Sequence, residues 1–148
     1  MKPLLSARGV SVGYDDKTVL RGVDFDLCPG EFVAFIGPNG VGKTTFLKAL
    51  GSTVKVETGE ILLEGKPLSS YQSARLARRI AHSEQTPHVD WGYTVQETVS
   101  LGRFAHRGWF SPMGAADHKQ IDAVLERTGL SEFRERLVTE LSGGELQR

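Results

Sequence analysis

The chain has 148 residues, of which 39% are hydrophobic and 24% charged, a balance that suits a globular protein and excludes a fibre or a disordered tail. Eighteen Lys and Arg residues offset eighteen Asp and Glu residues, so we expect no nucleic-acid partner. No apolar leader or long apolar run is present and Cys28 is the single cysteine, so we expect a protein of a reducing compartment that is neither secreted nor membrane-spanning.

The N-terminal part of the chain predicts an antiparallel sheet. Residues 7–14 place Val10, Val12 and Tyr14 on one face of an extended strand. After a turn at residues 15–17, two further short strands are predicted, at residues 18–20 and 23–27. Tyr14 has two interpretations, a packed aromatic side chain or an exposed ring on which a purine stacks, and the residues alone favour packing.

A glycine-rich segment, Gly-Pro-Asn-Gly-Val-Gly-Lys-Thr, occupies residues 37–44. It follows an apolar run at 32–36, predicted as a strand, and precedes a helical pattern at 45–50 that Gly51 ends. The segment matches G-x-x-x-x-G-K-[ST], whose backbone N–H groups surround a phosphate chain at the positive end of a helix. In this strand–loop–helix context the segment predicts a nucleotide-phosphate site.

The residue types of this loop suit a triphosphate. Glycines let the backbone approach phosphate oxygens, Lys43 is expected to reach the β- and γ-phosphates, and the Thr44 hydroxyl is expected to ligate Mg²⁺. Lys43 is also a predicted catalytic residue. The predicted phosphate-binding residues are Gly37, Pro38, Asn39, Gly40, Val41, Gly42, Lys43, Thr44 and Thr45.

The next segments predict a strand over residues 60–65, a short helix through Ala77 and a strand over residues 80–85. Ser69 or Ser70 is expected to cap the short helix. Three arginines on or just after this helix are interpreted as a solvated face; they are Arg75, Arg78 and Arg79.

Two helices are predicted beyond this point. Thr94 and Glu97 form a capping box that opens a helix with three inward-facing apolar residues, Val95, Val99 and Leu101. Residues 115–127 predict a second helix that Gly129 stops. Its predicted buried residues are Ile121, Val124 and Leu125.

The last segment, residues 141–148, reads Leu-Ser-Gly-Gly-Glu-Leu-Gln-Arg. Ser142 and Glu145 form a second capping box, so a helix is expected to begin here. Two consecutive glycines in its first turn cost backbone entropy, and a capped helix alone does not account for them. We therefore expect Ser142, Gly143 and Gly144 to contact something anionic.

With both motifs in hand, the chain resembles the nucleotide-binding subunit of ATP-binding cassette (ABC) transporters over essentially its whole length. Residues 37–44 correspond to the Walker A loop, and residues 141–145 with Gln147 and Arg148 to the family signature. The resemblance implies an α/β P-loop NTPase of ABC type, with an antiparallel β-subdomain, a phosphate-binding core and a helical subdomain. It places the ATP-binding core at residues 1–85, the helical subdomain at 86–141 and the start of the signature helix at 142–148.

The resemblance also implies site residues, cofactors and partners. Tyr14 falls at the position of the aromatic that stacks on adenine, and Gln85 at that of the glutamine that touches Mg²⁺ and the attacking water. ATP and Mg²⁺ are the implied cofactors. The implied partners are a second nucleotide-binding subunit in a head-to-tail dimer, a membrane permease near the loop after Gln85 and, indirectly, a periplasmic or lipoprotein substrate-binding protein. The implied location is peripheral, on the cytoplasmic face of the inner membrane.

A finer resemblance is to importers of iron-siderophore, haem and cobalamin complexes. Residues 94–103, Thr-Val-Gln-Glu-Thr-Val-Ser-Leu-Gly-Arg, are similar to a T-V-x-E-x-V-x-x-G-R segment of that subfamily, and residues 77–81 also match. The implied function is ATP hydrolysis that powers import of such a substrate. The transported substrate itself is chosen by other subunits.

The family pattern continues past the signature with an apolar strand that ends in Asp-Glu and with a histidine. Because these residues are not among the 148, the chain is expected to be a fragment that lacks the C-terminal part and does not itself turn over ATP. Such a fragment is expected to leave the apolar faces of residues 32–36 and 46–50 partly uncovered. Two alternatives stay open, a soluble ABC ATPase that acts on ribosomes or DNA and a nucleotide-binding switch without hydrolysis. An unrelated P-loop kinase is disfavoured by residues 141–145.

Overall fold

The computed structural model describes residues 2–14, 17–84, 92–107 and 111–148. The chain divides into two compact units, Met1–His82 and Ser83–Arg148, and each has its own apolar core. The first unit carries the sheet and the glycine-rich loop, and the second is helical. None of the helices in the described ranges is long and apolar enough to cross a membrane.

The sheet of the first unit has four strands in the order β2-β1-β3-β4, and every neighbouring pair is antiparallel. The strands are β1 (Leu5–Tyr14), β2 (Lys17–Leu27), β3 (Thr58–Leu63) and β4 (Lys66–Pro67). The predicted antiparallel sheet is therefore confirmed. The turn predicted before β2 includes residues 15 and 16, which lie outside the described residues.

The second strand corrects one prediction. The separate strands expected at residues 18–20 and 23–27 are one strand, β2, whose pairing with β1 has a register shift on either side of Val12. Gly22 has a φ of +60°, and its N–H donates to the Ser11 hydroxyl at 3.1 Å instead of a ladder carbonyl. A left-handed glycine therefore bends the strand without ending it.

Alternating apolar residues of β1 form the centre of the core. Ala7, Val10 and Val12 are fully buried, as the alternation predicts for the latter two. Helix α1 (Lys43–Leu50) packs on this face through Phe46, Ala49 and Leu50, and Gly51 follows its last residue as expected. The helix that begins at the glycine-rich loop is thus fixed to the sheet by its C-terminal half.

The apolar run at residues 32–36 is not a strand, contrary to the prediction. Phe35 packs among Phe25 and Phe46, with ring centroids 5.3 and 5.5 Å away, but Phe32 and Ile36 are 95% and 94% exposed. A strand requires a hydrogen-bonded neighbour, and among the described residues none lies beside this run. One face of the segment is packed and the other is open, as expected for residues 32–36.

Helix α1 meets the same expectation for residues 46–50 through one side chain. Phe46 and Leu50 are buried against β1, and Leu47 is the apolar side chain left 44% exposed. A cleft of 270 Å³ lies beside it, lined partly by Phe32, Val33 and Ile80. The uncovered apolar surface of the first unit therefore centres on residues 32–36 rather than on the helix.

The segment after β3 differs from prediction in two places. Helix α2 (Ser73–Ala77) follows Gln72, so neither Ser69 nor Ser70 caps it. Those serines lie in a short 3₁₀ turn, Leu68–Ser70, where the Ser70 hydroxyl donates to the Pro67 carbonyl at 2.7 Å. The strand expected at residues 80–85 is absent from the described part, residues 80–84, and Gln85 lies outside it.

The described residues of the second unit form three α-helices, α3 (Val95–Leu101), α4 (Ala115–Thr128) and α5 (Gly143–Leu146). The predicted Thr94–Glu97 capping box is present, and Gly129 ends α4 with a φ of +68° as predicted. The core formed by these elements comprises Val95, Ile121, Leu125, Leu130 and Val138, with Val99 packed against it. Two predicted core residues are wrong, because Leu101 and Val124 are 45% and 39% exposed.

An ion pair joins the end of α3 to the start of α4. The Arg103 Nε donates to the Asp117 carboxylate at 2.8 Å, and both side chains are largely buried. The Asp117 carboxylate also accepts from the Gly114 N–H at 3.1 Å. The Arg103 hydrogen bond and, after it, the Gly114 hydrogen bond lower the pKa of Asp117 below its usual range. The Asp117 carboxylate therefore caps the start of α4 and also binds Arg103, just after the end of α3.

Candidate nucleotide-binding site

The positive end of α1 is open. Its N-cap is Gly42, which has no side chain to cap it, and its φ of +101° turns the chain sharply into the helix. The first hydrogen bond of the helix runs from the Phe46 N–H to the Gly42 carbonyl at 2.9 Å. The N–H groups that precede Phe46 have no acceptor within the helix, so they and the helix dipole favour an anion at this position.

Lys43 closes the glycine-rich loop on itself. Its ammonium group donates to the carbonyl oxygens of Gly37 and Pro38, at 2.8 Å each. Both bonds are solvent-exposed, so phosphate oxygens can replace the carbonyls without a buried group losing its partner. The loop thus holds a positive charge beside the open end of the helix.

The loop is supported by residues that sequence reasoning did not single out. A Cβ atom on Gly42 would lie 2.8 Å from the Leu20 side chain and 3.1 Å from that of Val19, so β2 packs directly on the loop. Thr45 is buried at the helix base, whereas Thr44 is exposed. Nothing in the local sequence around Leu20 signals this contact, because it depends on how the hairpin folds over α1.

The other residues of the loop are exposed. Gly40 has a φ of +81°, and within the described residues no atom lies within 4 Å of the position a Cβ would take. Val41 is half exposed. The nine predicted phosphate-contacting residues form this loop and the first residues of α1, where Gly42 and Thr45 are buried. The chemistry that this cationic loop suits is the binding of a phosphate chain.

Tyr14 ends β1 and its side chain is 46% exposed, so the packed ring that the residues alone favoured is wrong. It pairs with Lys17 at the end of the β1–β2 hairpin, the hairpin whose second strand contacts Gly42. The ring is open to stacking, which is the role that the family resemblance implies. The second residue assigned from the resemblance, Gln85, lies outside the described residues.

The second predicted anion-contacting segment lies in the other unit. The Ser142 N–H donates to the Glu145 carboxylate at 2.7 Å, and the Glu145 N–H donates to the Ser142 hydroxyl oxygen at 3.4 Å. The bonds with Ser142 lower the pKa of Glu145 below its usual range. The capping box is therefore confirmed, and both the backbone and the side chain of Ser142 are engaged with Glu145.

The two glycines of this segment are not required by packing within the chain. Among the described residues no atom lies within 4 Å of where a Cβ would stand on either Gly143 or Gly144. Larger side chains would fit in this unit, so the space above α5 is left clear. The loop around Lys43 belongs to the first unit and the segment that begins at Ser142 to the second.

Comparisons with known sequences bear on the family. The profile described as ABC transporter matches residues 20–148. The hemin import ATP-binding protein HmuV of Mesorhizobium japonicum is 43% identical over 145 residues, which are 98% of this chain and 54% of that protein. The iron(3+)-hydroxamate import ATP-binding protein FhuC of Bacillus subtilis is 35% identical over 144 residues, 97% of this chain and 54% of that protein.

The chain is also similar to a relative that is named for manganese transport rather than for import of an iron complex. The manganese transport system ATP-binding protein MntB of Halalkalibacterium halodurans is 32% identical over 150 residues, 100% of this chain and 58% of that protein. The chain thus spans about half the length of the curated relatives it matches.

Solved structures agree with the sequence comparisons. An ATP-binding subunit of an ABC transporter matches with a TM-score of 0.79 and 27% identity, over 97% of this chain and 58% of that one. A nucleotide-free ATP-binding cassette matches with a TM-score of 0.78 and 25% identity, over 98% of this chain and 61% of that one. The fold, the loop around Lys43 and the family profile coincide, and the chain belongs to the ABC transporter family of ATP-binding domains.

Proposed function

We propose that this chain is the nucleotide-binding part of an ATP-hydrolysing subunit that drives transport through a membrane permease. The observation that carries the proposal is the open positive end of α1, beside which Lys43 is held by two exposed carbonyl bonds. That arrangement suits the β- and γ-phosphates of a triphosphate, where charge-assisted bonds replace neutral ones.

The donor set fits ATP with Mg²⁺. Lys43 and the N–H groups at the start of α1 would hold the phosphates, and the exposed Thr44 hydroxyl would ligate the metal together with Gln85. When bound, Mg²⁺ supplies charge neutralisation to the phosphate chain. Tyr14 would stack on the adenine through its exposed ring. In the complete subunit Lys43 would stabilise charge on the transferring phosphoryl group, and Gln85 would orient the water.

A second copy of the subunit would complete the site. Ser142, Gly143 and Gly144 lie at the start of α5, and none of the described residues has an atom within 4 Å of a Cβ position on either glycine, so a phosphate group held by a partner subunit could approach the backbone closely. Closure of a head-to-tail dimer would then depend on an intact γ-phosphate, and hydrolysis would release it. The loop after Gln85 would receive the permease, which places the subunit at the cytoplasmic face of the membrane and links it indirectly to a substrate-binding protein.

The proposed substrate class is an iron-siderophore, haem or cobalamin complex. It rests on the relatives named for iron(3+)-hydroxamate and hemin import. The segment at residues 94–103 does not itself select a substrate, because its Thr94–Glu97 cap, core Val95 and Arg103–Asp117 ion pair have structural roles. The same structural segment would serve importers of several cargoes.

The phosphate site is tested by titrating the chain with a fluorescent ATP analogue in the presence of Mg²⁺. We expect saturable binding that Lys43→Ala weakens at least about tenfold, since a hydrogen bond to a charged group contributes about 1.5–3 kcal/mol. Lys48→Ala, on the same helix, is the matched control and should bind within about twofold of the parent. Equal losses in both variants would show that the loop is not the site.

The substrate class is tested in the source organism. Disrupting the coding sequence should abolish growth when haem or a ferric siderophore is the sole iron source and leave growth on soluble ferrous iron intact. A growth defect that added manganese alone relieves would instead indicate manganese transport, the function for which one of the relatives is named.

A further inference from the structure

A polar cleft of 530 Å³ opens on the first unit, between the β3–β4 hairpin and the segment that contains α2. Clefts of this size accept small-molecule ligands. The hairpin contributes Glu64 and Lys66, and the helical segment contributes Arg75 and Arg79. The sequence alone predicts that these arginines belong to a solvated face. They are not part of the proposed nucleotide site at the glycine-rich loop.

The charge in this cleft is positive although the whole chain is neutral. Three cationic side chains, Lys66, Arg75 and Arg79, line it together with the single carboxylate of Glu64. Within the described parts of the chain, no carboxylate forms an ion pair with Lys66 or Arg75. Like charges gathered on a concave surface raise the local concentration of anions.

Glu64 positions Arg79 and leaves most of its donors free. The Arg79 guanidinium donates to one Glu64 carboxylate oxygen through one of its terminal nitrogens. A guanidinium has five N–H donors, so this pair fixes the side chain at the wall of the cleft and leaves other donors for a ligand. Glu64 has a φ of +53°, a backbone conformation that residues with a Cβ seldom adopt.

The arrangement of donors favours phosphate over a carboxylate. A carboxylate presents two oxygens in one plane, which a single arginine can satisfy. A phosphate group presents three outer oxygens in three directions and needs donors from more than one side. Here Lys66 lies on one wall and Arg75 and Arg79 on the other, with the polar Gln72 between them in sequence.

We propose that this cleft binds a phosphate-bearing anion with two or more negative charges, at a site separate from the glycine-rich loop. A diphosphate group has both the charge and the several oxygens needed to accept hydrogen bonds from more than one of these cations. The phosphate group could belong to a free anion or to a lipid headgroup, and the two sources share the same recognition chemistry.

The test uses the whole chain with Lys43→Ala, which removes the main cation of the glycine-rich loop. Inorganic pyrophosphate is added to the ¹⁵N-labelled protein and backbone amide shifts are followed by NMR. We expect saturable shifts at Lys66, Tyr71 and Gln72. The dissociation constant should be at least about tenfold larger in the Lys66→Gln/Arg75→Gln double variant. Arg21→Gln, which removes an exposed arginine from β2 of the same unit, should leave the dissociation constant unchanged.

A parallel experiment identifies the source of the phosphate. Phosphatidic acid vesicles, whose headgroup is a phosphomonoester, are sedimented with the same variants, and phosphatidylcholine vesicles serve as the neutral comparison. Vesicle binding that the Lys66→Gln/Arg75→Gln variant abolishes would assign a lipid headgroup, and saturable pyrophosphate shifts without vesicle binding would assign a free anion. The proposal would be overturned if vesicle binding were not specific and the pyrophosphate shifts did not saturate. It would also be overturned if vesicle binding were not specific and the double variant bound pyrophosphate no more weakly than Arg21→Gln. Unchanged melting temperatures of the variants show that each loss is not unfolding.

Discussion

The Lys43 ammonium group donates a hydrogen bond to the Gly37 carbonyl at 2.8 Å, so the residue that carries the positive charge of the loop also joins the two ends of that loop. The Pro38 carbonyl accepts a second bond of the same length. Carbonyl oxygens satisfy the donors but leave the charge uncompensated. Replacement of these carbonyls by anionic oxygens therefore favours binding without reorganising a buried group.

Lys43→Gln should separate the charge of this residue from its role in closing the loop. The glutamine amide can still donate to a loop carbonyl, so we expect the free energy of unfolding to change by less than about 1 kcal/mol. Affinity for a triphosphate should fall at least about tenfold, because the charged partner of the phosphates is lost. Urea unfolding and calorimetric titration measure the two quantities. Parent-like affinity in the Gln variant would mean that charge at this position does not drive binding.

Gly42→Ala should destabilise the first unit and weaken phosphate binding. The new Cβ would lie 2.8 Å from Leu20, and the φ of +101° is unfavourable for alanine. The two effects together should lower the free energy of unfolding by about 2–4 kcal/mol. Urea unfolding of the chain gives this value directly.

Gly40→Ala is the matched control for this steric effect. Its φ of +81° carries a similar conformational cost, but no described atom lies within 4 Å of the new Cβ. We expect a loss of about 1–2 kcal/mol. Leu20→Ala added to Gly42→Ala should recover part of the loss, since the two side chains share one space. Equal losses for the two glycine variants would show that Leu20 does not pack on the loop.

The features that the sequence predicts well are those written in a few neighbouring residues. These features are all local, because their hydrogen bonds join residues three to six positions apart: the loop at residues 37–44, the Thr94–Glu97 and Ser142–Glu145 capping boxes and the stop at Gly129. The buried face of β1 is equally local, since Val10 and Val12 follow a period of two.

The features that fail depend on distant partners. Residues 32–36 have the composition of a strand but no hydrogen-bonded neighbour among the described residues. Leu101 and Val124 fit the apolar period of their helices, but no other described element covers them and they are exposed. Likewise, neither the Leu20–Gly42 contact nor the cationic cleft at Lys66 has a short-range signal. Each joins segments that only the fold brings together.

Asp117 should give the second unit an acid-sensitive stability. Its pKa in the folded chain is lowered chiefly by the Arg103 hydrogen bond, so the folded state favours the ionised carboxylate. That contribution is complete above the unfolded pKa of about 3.9 and is lost as the pH falls through the folded pKa. Melting temperature should therefore fall more steeply with acid in the parent chain than in Asp117→Asn.

The Asn variant is expected to be less stable at neutral pH and to approach the parent in stability once the pH falls below the lowered folded pKa of Asp117. Glu145→Gln provides the comparison, because the pKa of Glu145 is also lowered, by its bonds with Ser142. It should leave the pH dependence due to the Arg103–Asp117 pair unchanged. Parallel melting curves for the parent and Asp117→Asn would contradict a role for this pair in the acid response.

Ser142→Arg should block dimer closure of a complete subunit while leaving triphosphate binding to the monomer intact. A bulky side chain would fill the clear space beside Gly143 and Gly144, where we propose that the partner's phosphate approaches. Ser142→Ala is the control, because it removes the cap, at a cost of about 1 kcal/mol, without adding bulk. Gel filtration with ATP compares the two. A dimer that persists in the Arg variant would show that this turn is not at the dimer interface.

Phe32 and Phe35 lie three positions apart and should respond oppositely to substitution. Phe32 is 95% exposed, so Phe32→Ser should leave the free energy of unfolding nearly unchanged and reduce binding of an apolar dye and self-association of the chain. Phe35 contacts the rings of Phe25 and Phe46, so Phe35→Ser should cost about 2–4 kcal/mol and increase dye binding. Urea unfolding, dye fluorescence and light scattering measure these effects. If Phe32→Ser were the more destabilising change, the outer face of residues 32–36 would have to be covered in solution, and the open apolar surface would instead be an interface.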